Sequence, residues 1–194
     1  MTSIKSLCVF CGAAVGDDPA YGEAARALGD MMARRGVRLI FGAGHVGMMG
    51  ILADAVLAAG GEAVGVIPRH LMDRELAHVG LTELLVVENM HTRKQKMFEL
   101  ADAIAVLPGG FGTLDETFEV ITWKQLGLHD KPIFLIDTNG YWRPFADLIA
   151  KIIQSGFAHS DHAALFALVG TPAELFGLLE TLPESQTSAD SSKF

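Results

Sequence analysis

The chain has 194 residues, of which half are hydrophobic, so we expect one domain with a sizeable core and no disorder in the bulk of the chain. Its net charge of −8 is poorly suited to holding a nucleic acid polymer by its phosphates, although a small anion could bind at a local positive site. No apolar run approaches the roughly 18 to 20 residues of a transmembrane helix, so we expect no membrane association.

The N-terminal segment has a short apolar stretch that runs into a glycine turn, which favours a buried first strand over a signal peptide. Cys8 and Cys11 have C-x-x-C spacing, which leaves open a redox pair or half of a zinc site. Side chains three residues apart on a strand point to opposite faces, so we expect separate thiols and no metal. Free thiols in a chain without an export signal are typical of a cytoplasmic protein.

Short β-branched segments alternate with longer amphipathic segments along the chain. In order, the patterns predict strand 5–10, helix 19–35, strand 37–41, helix 46–59, strands 62–67 and 83–87, helix 90–101, strand 103–107, helix 113–126, strand 132–136, helix 141–154, a weak strand 165–169 and helix 173–181. Several strands are apolar without alternation, as in strands covered on both faces. This predicts an α/β fold with a doubly wound parallel sheet and helices on both faces. We expect one domain at 1–182 and a disordered, serine-rich tail at 183–194.

Three glycine-rich turns follow predicted strands, at 11–16, 42–47 and 108–113. Ligands of open parallel sheets bind beyond the carboxyl ends of the strands, which makes these turns candidate binding sites. The second turn matches the dinucleotide motif G-x-G-x-x-G, but it follows the second strand and lacks the acidic residue expected about twenty residues later. The alternative is that glycines such as Gly47 and Gly50 allow close packing of helix on strand.

The third turn predicts a phosphate site. Gly109, Gly110 and Gly112 leave backbone N–H groups uncovered before a helix, where the amides and the helix dipole favour an anion. No Gly-Lys-Ser/Thr follows, so this turn is not a Walker P-loop.

Charged residues surround this turn in the sequence. Thr113 to Glu116 has the spacing of a capping box, with Thr113 as N-cap, but Asp115, Glu116 and Glu119 are more acid than a cap requires. Their predicted cationic partners are Arg93 and Lys94, for which the alternative is a solvated basic helix end.

Four segments resemble the motifs of one family. Residues 108–116 look like PGGxGTxxE, 90–94 match MHxRK, 42–50 are similar to GGGxxGxMG, and 11–16 to CGSSxG. These are motifs of the Lonely Guy family, the cytokinin riboside 5′-monophosphate phosphoribohydrolases, which also have the label "possible lysine decarboxylases". The resemblance covers about residues 6–182. No lysine lies in a setting that suggests a Schiff base with pyridoxal phosphate, so the decarboxylase label has no chemical support.

The resemblance implies a Rossmann-like fold, a homodimer, and hydrolysis of the N-glycosidic bond of AMP or of N6-substituted, cytokinin-type adenosine 5′-monophosphates, without cofactor or metal. It implies Arg93 and Glu116 as the catalytic pair. The implied substrate contacts are Glu75, Arg93, Lys94, Gly109, Gly110, Phe111, Gly112, Thr113, Leu114, Asp115, Glu116 and Thr122. Gly12, Gly42 and Gly44 are further candidates for a phosphate or ribose loop.

The chain departs from the family pattern at two turns. Ala13 and Ala14 replace Ser-Ser, which removes two hydroxyl groups that could bond phosphate or ribose, and Ala43 replaces a glycine. Two alternatives therefore remain: a non-catalytic protein that binds or senses nucleotides, and a phosphoribohydrolase for another mononucleotide.

Overall fold

Seven parallel strands form a single sheet in the part of the chain that the structure describes. The computed structural model describes residues 4–72 and 77–181. The strands are β1 (Ser6–Phe10), β2 (Arg38–Phe41), β3 (Ala63–Pro68), β4 (Glu83–Val87), β5 (Ala103–Val106), β6 (Ile133–Ile136) and β7 (Ala167–Val169). They lie in the order β4-β3-β2-β1-β5-β6-β7, and every pair is parallel.

Helices cover both faces of this sheet. They are α1 (Pro19–Arg34), α2 (Gly47–Ala58), α3 (Met90–Leu100), α4 (Phe111–Gln125), α5 (Arg143–Gln154) and α6 (Pro172–Thr181). One apolar cluster joins α1, α2 and α6 to the sheet, and a second joins α3, α4 and the start of α5 to the opposite face. The predicted doubly wound α/β fold is confirmed. No helix among these residues is long and apolar enough to cross a membrane.

The two cysteines lie on opposite faces of the sheet, as predicted. Cys8 belongs to the cluster of α3 and α4, whereas Cys11 belongs to that of α1 and α2, and both thiols are free and buried. This separation follows from the alternation of side chains along a strand.

The strand order reverses between β1 and β5. The strands run outward from β1 through β2 and β3 to β4, and the chain then returns to β5 on the other side of β1. The last residues of the two strands, Phe10 and Val106, pair directly, so the first and third glycine turns leave the sheet side by side. The amide of Gly12 donates to the carbonyl of Pro108 at 3.1 Å. Such a reversal opens a crevice at the carboxyl edge, which is where open α/β sheets bind ligands.

Two predicted helix starts and the capping box are wrong. α4 begins at Phe111 with Gly110 as its N-cap, so Thr113 is the third helical residue; it is buried and does not cap the helix. α5 begins at Arg143 rather than Tyr141, because the chain first makes a 3-10 turn at Thr138–Gly140. Glu75 and the predicted tail at 183–194 lie outside the described residues.

Candidate active site

A cavity of about 620 Å³ opens where β1, β2 and β5 end. Its volume lies in the range of small-molecule sites, roughly 300 to 1,000 Å³. The lining comes from all three glycine turns, from the sheet and from four helices. It includes Gly12, Ala13, Ala14, Gly42, Gly109, Gly110, Phe111, Gly112, Thr113, Asp115, Glu116, Arg93, Tyr21, Tyr141, Met48, Met49, Met90 and Met97.

The N-terminus of α4 faces this cavity without a side-chain cap. Gly110 has extended backbone angles, and among the described residues no side chain accepts from the amides that begin this fifteen-residue helix. A methyl group at Gly110 or Gly112 would meet nothing within 4 Å, so both glycines leave open space next to the amides. At Gly109, by contrast, a methyl carbon would lie 2.1 Å from Oγ1 of Thr113. The turn therefore presents unpaired N–H groups and the positive end of a helix dipole, which together favour an anion.

Arg93 of α3 reaches the end of β2. Its Nη2 donates to the carbonyl of Gly42 at 2.9 Å, and only 5% of the residue is exposed. A methyl carbon at Gly42 would lie 1.9 Å from that nitrogen, so the guanidinium fits only because residue 42 has no side chain. The alternative of a solvated basic helix end is wrong. The first glycine of the G-x-G-x-x-G match makes room for an arginine.

Glu116 of α4 lines the same cavity. Burial raises the pKa of its carboxyl to about 7; the charge of Arg93 opposes this shift, and Asp115 adds to it. A carboxyl with a pKa near neutrality exchanges a proton readily at physiological pH, which suits general acid or base catalysis. The predicted catalytic pair therefore shares one cavity with the uncapped helix terminus.

Comparison with known proteins decides the family. A model of the family described as "Possible lysine decarboxylase" matches residues 49–179. The chain is 41% identical over 181 residues to cytokinin riboside 5′-monophosphate phosphoribohydrolase LOG of Oryza sativa subsp. japonica, covering 93% of this chain and 75% of that one. It is 50% identical over 154 residues to cytokinin riboside 5′-monophosphate phosphoribohydrolase of Rhodococcoides fascians, covering 79% and 78%. The chain belongs to the Lonely Guy family.

The fold of this Lonely Guy protein also occurs in a solved structure of a distant protein. The molybdenum cofactor binding protein of Rippkaea orientalis is 19% identical, with a TM-score of 0.70 over 93% of this chain and 98% of that one. At this identity the likeness shows a shared fold, in agreement with the predicted Rossmann-like architecture.

Some residues implied by the Lonely Guy motifs lie outside the cavity lining. The ammonium of Lys94 binds Asp115 and Glu119 of α4. Leu114 packs against the core, and Thr122 lies exposed on α4. The remaining member of this group, Gly44, contacts Met49: a methyl carbon at Gly44 would lie 2.6 Å from Cε of that side chain.

The motifs did not identify the apolar and aromatic walls. Met90 and Met97 lie three residues before and four after Arg93, so their helical spacing could have placed them on its face. Tyr21 and Tyr141 meet edge to face at 5.5 Å, and the Tyr141 hydroxyl donates to the carbonyl of Gly109. These two residues are far apart in the chain, so no local pattern could have found this pair.

Proposed function

We propose that this chain hydrolyses the N-glycosidic bond of AMP or of N6-substituted, cytokinin-type adenosine 5′-monophosphates, releasing free base and ribose 5-phosphate. The observation that carries this proposal is the shared cavity of Glu116, Arg93 and the uncapped N-terminus of α4. The names of the relatives in rice and Rhodococcoides fascians support it.

The 5′-phosphate would bind at the start of α4. The amides of Phe111, Gly112 and Thr113 have no partner within their own helix turn and can donate to phosphate oxygens. Each such bond to a charged group is worth roughly 1.5 to 3 kcal/mol. The ribose would then lie next to Glu116, and Glu75 and Thr122 stay predicted substrate contacts.

The carboxylate of Glu116 would act on C1′ of the ribose. As the bond from C1′ to the base nitrogen breaks, its electron pair leaves with the base and positive charge develops on the sugar, which a carboxylate stabilises. A water oxygen then bonds to C1′, and Glu116 accepts the water proton and returns it to the departing base. The guanidinium of Arg93 orients Glu116 or binds the ribose. No step needs a metal or a cofactor.

Product analysis tests this reaction. The protein is incubated with AMP and with isopentenyladenosine monophosphate, and free base and ribose 5-phosphate are quantified. Glu116→Gln is expected to lower the rate by at least about 100-fold, the lower end of the usual contribution of a general acid or base. Glu99→Gln, at an exposed position on α3, is the matched control. No base from either substrate would refute the proposal, and base release that Glu116→Gln leaves unchanged would refute the role of Glu116.

Ala13 and Ala14 favour a second candidate. They line the cavity where hydroxyl groups could otherwise bond a ligand, which suits a protein that binds or senses a nucleotide without cleaving it. This alternative predicts that AMP raises the melting temperature and stays intact after long incubation. A panel of mononucleotides with other bases distinguishes both from a phosphoribohydrolase of different base specificity.

We also propose that the chain forms a homodimer and works in the cytoplasm. Phe111 is 92% exposed and Leu126 is 64% exposed at opposite ends of α4, which is apolar surface that a second copy could cover. The buried free thiols of Cys8 and Cys11 suit a reducing compartment. Sedimentation at the monomer mass would contradict the dimer, and Leu126→Lys should shift the equilibrium toward monomer.

A further inference from the structure

A cluster of three charged side chains joins α3 to α4. The Nζ atom of Lys94 lies 3.0 Å from Oδ2 of Asp115 and 3.1 Å from Oε2 of Glu119. The Lys94 side chain is 10% exposed, against 63% for Asp115 and 24% for Glu119. The ammonium is therefore shielded between two helices, and Lys94 is not among the residues that line the cavity.

This cluster brackets Glu116. Asp115 immediately precedes it, and Glu119 follows it by three residues, so Lys94 binds the helical turn that contains the carboxyl. The neighbouring Arg93 lines the cavity and donates to the carbonyl of Gly42 at the end of β2. Two consecutive residues of α3 thus fix this helix to a strand end and to α4.

Lys94 supplies one of the two cations that face the three carboxylates at and around Glu116. Three carboxylates, those of Asp115, Glu116 and Glu119, lie in the second and third turns of α4, and the facing cations from α3 are Arg93 and Lys94. The neighbouring thiols are those of Cys8 in β1 and of Cys11 just after it; their pKa values are raised, chiefly by burial, so both stay neutral.

Lys94 itself stays charged. Burial lowers the pKa of its ammonium, but the hydrogen bonds that it donates to Asp115 and Glu119, together with their negative charges, outweigh burial and raise it. Without this ammonium, Asp115 and Glu119 would repel the negative charge that Glu116 must hold.

We propose that Lys94 is a positioning residue, which holds the Glu116 turn of α4 against α3 by neutralising Asp115 and Glu119, and which makes no contact with the substrate. This inference rests on the proposed hydrolysis and revises the substrate contact implied by the family motif. A displacement of about 1 Å at a reacting group can cost about 100-fold in rate, so holding this turn in place has a measurable effect.

Steady-state kinetics on four variants test the role. Lys94→Met should lower kcat by about 10- to 100-fold with KM within about threefold of wild type, because the chemistry is displaced and the substrate contacts are intact. It should also move the acid limb of the kcat/KM profile to higher pH, since uncompensated carboxylates favour protonated Glu116. Lys94→Arg should keep most of the activity. Lys96→Met, on the same helix with a half-exposed ammonium, is the matched control.

The double variant Lys94→Met/Glu119→Gln gives the most specific test of the positioning role. Removing the charge of Glu119 relieves the repulsion that Lys94→Met creates. The kcat of the double variant should therefore be at least about fivefold higher than that of Lys94→Met, and the acid limb of its kcat/KM profile should move back to lower pH. A substrate contact would not be restored in this way.

Each outcome of these measurements supports or overturns the positioning role of Lys94. A raised KM with unchanged kcat in Lys94→Met, or no recovery in the double variant, overturns the positioning role. If Lys94→Met fails to fold, Lys94→Arg and the double variant still give the comparison, and a KM raised in both overturns the inference. A wild-type protein that releases no base refutes the proposed function itself, whereas an active wild type with unaffected Lys94 variants refutes this inference alone.

Discussion

A methyl group at Gly42 would test how closely Arg93 must approach the end of β2. The added carbon would lie 1.9 Å from Nη2 and 3.0 Å from Cζ of Arg93, where ordinary contacts begin at 3.4 Å. The guanidinium would therefore have to move by about 1.5 Å. In doing so it would lose the 2.9 Å hydrogen bond to the carbonyl of residue 42.

Both activity and stability should fall in Gly42→Ala. Misplacing a group by about 1 Å can cost about 100-fold in rate, so we expect kcat/KM for base release to fall by that order. Loss of one hydrogen bond to a charged donor costs about 2 kcal/mol, which lowers the melting temperature of a chain of this size by roughly 4 to 8 °C.

The assay is base release from AMP at saturating and subsaturating substrate, with thermal unfolding measured on the same samples. Gly177→Ala is the control, because a methyl at that helical position in α6 meets nothing within 4 Å. If Gly42→Ala stays within threefold of wild type while Arg93→Ala is inactive, the position of Arg93 does not depend on this glycine and the reasoning is wrong.

Three further predictions follow from the same geometry. The ordinary pKa of Glu116 is 4.5 and the folded value is about 7, so the folded state retains a proton that the unfolded chain loses, and wild-type stability falls as pH rises between these values. Glu116→Gln should therefore raise the melting temperature at pH 8 but not at pH 4, and wild-type kcat/KM should rise with pH through a midpoint near 7. A melting-temperature difference that does not change with pH contradicts the first expectation, and a kcat/KM that does not change with pH contradicts the second. Gly29→Ala should destabilise the folded chain by about 2 kcal/mol, because its methyl would lie 2.7 Å from a backbone oxygen of α2. Gly177→Ala should stabilise it by about 0.5 to 1 kcal/mol, because its methyl meets nothing within 4 Å. Equal shifts of the two variants in urea unfolding would refute this contrast. Adding hydroxyls with Ala13→Ser/Ala14→Ser should tighten AMP binding about fivefold in calorimetry, at about 1 kcal/mol for one new hydrogen bond, and unchanged affinity would show that the first turn does not touch the ligand.

The strands and most helix bounds could be predicted because their signal is local. Continuous apolar runs identified the doubly covered strands, and glycine or proline ended most elements where expected. Prediction failed at the start of α4, where Thr-x-x-Glu indicated a cap at Thr113, because Gly110 already takes the cap position and Gly109 leaves the space that buries Thr113. The spacing of a capping box does not reveal which residue the tertiary structure buries.

The charged residues of the site could be predicted from the sequence, but their contacts could not. The excess acid of α4 indicated cationic partners, and the pairing of Lys94 with Asp115 and Glu119 is confirmed. The bond from Arg93 to the carbonyl of Gly42 joins residues 51 apart, so only the folded chain shows why that glycine is needed. Ala43 next to it is buried with φ at 65°, a left-handed conformation that a non-glycine residue adopts at a cost of about 1 to 2 kcal/mol.

The central position of β1 has a consequence for synthesis of the chain. Leu7 of this strand pairs with Ala103 of β5, so the fifth strand reaches its neighbour only after more than half of the chain has left the ribosome. Until then the nascent sheet would end at β1, an apolar edge strand with unpaired backbone groups that invites pairing with other chains. An N-terminal fragment ending after β4 should therefore aggregate or be held by chaperones, and the cavity between the two halves should form only late in folding.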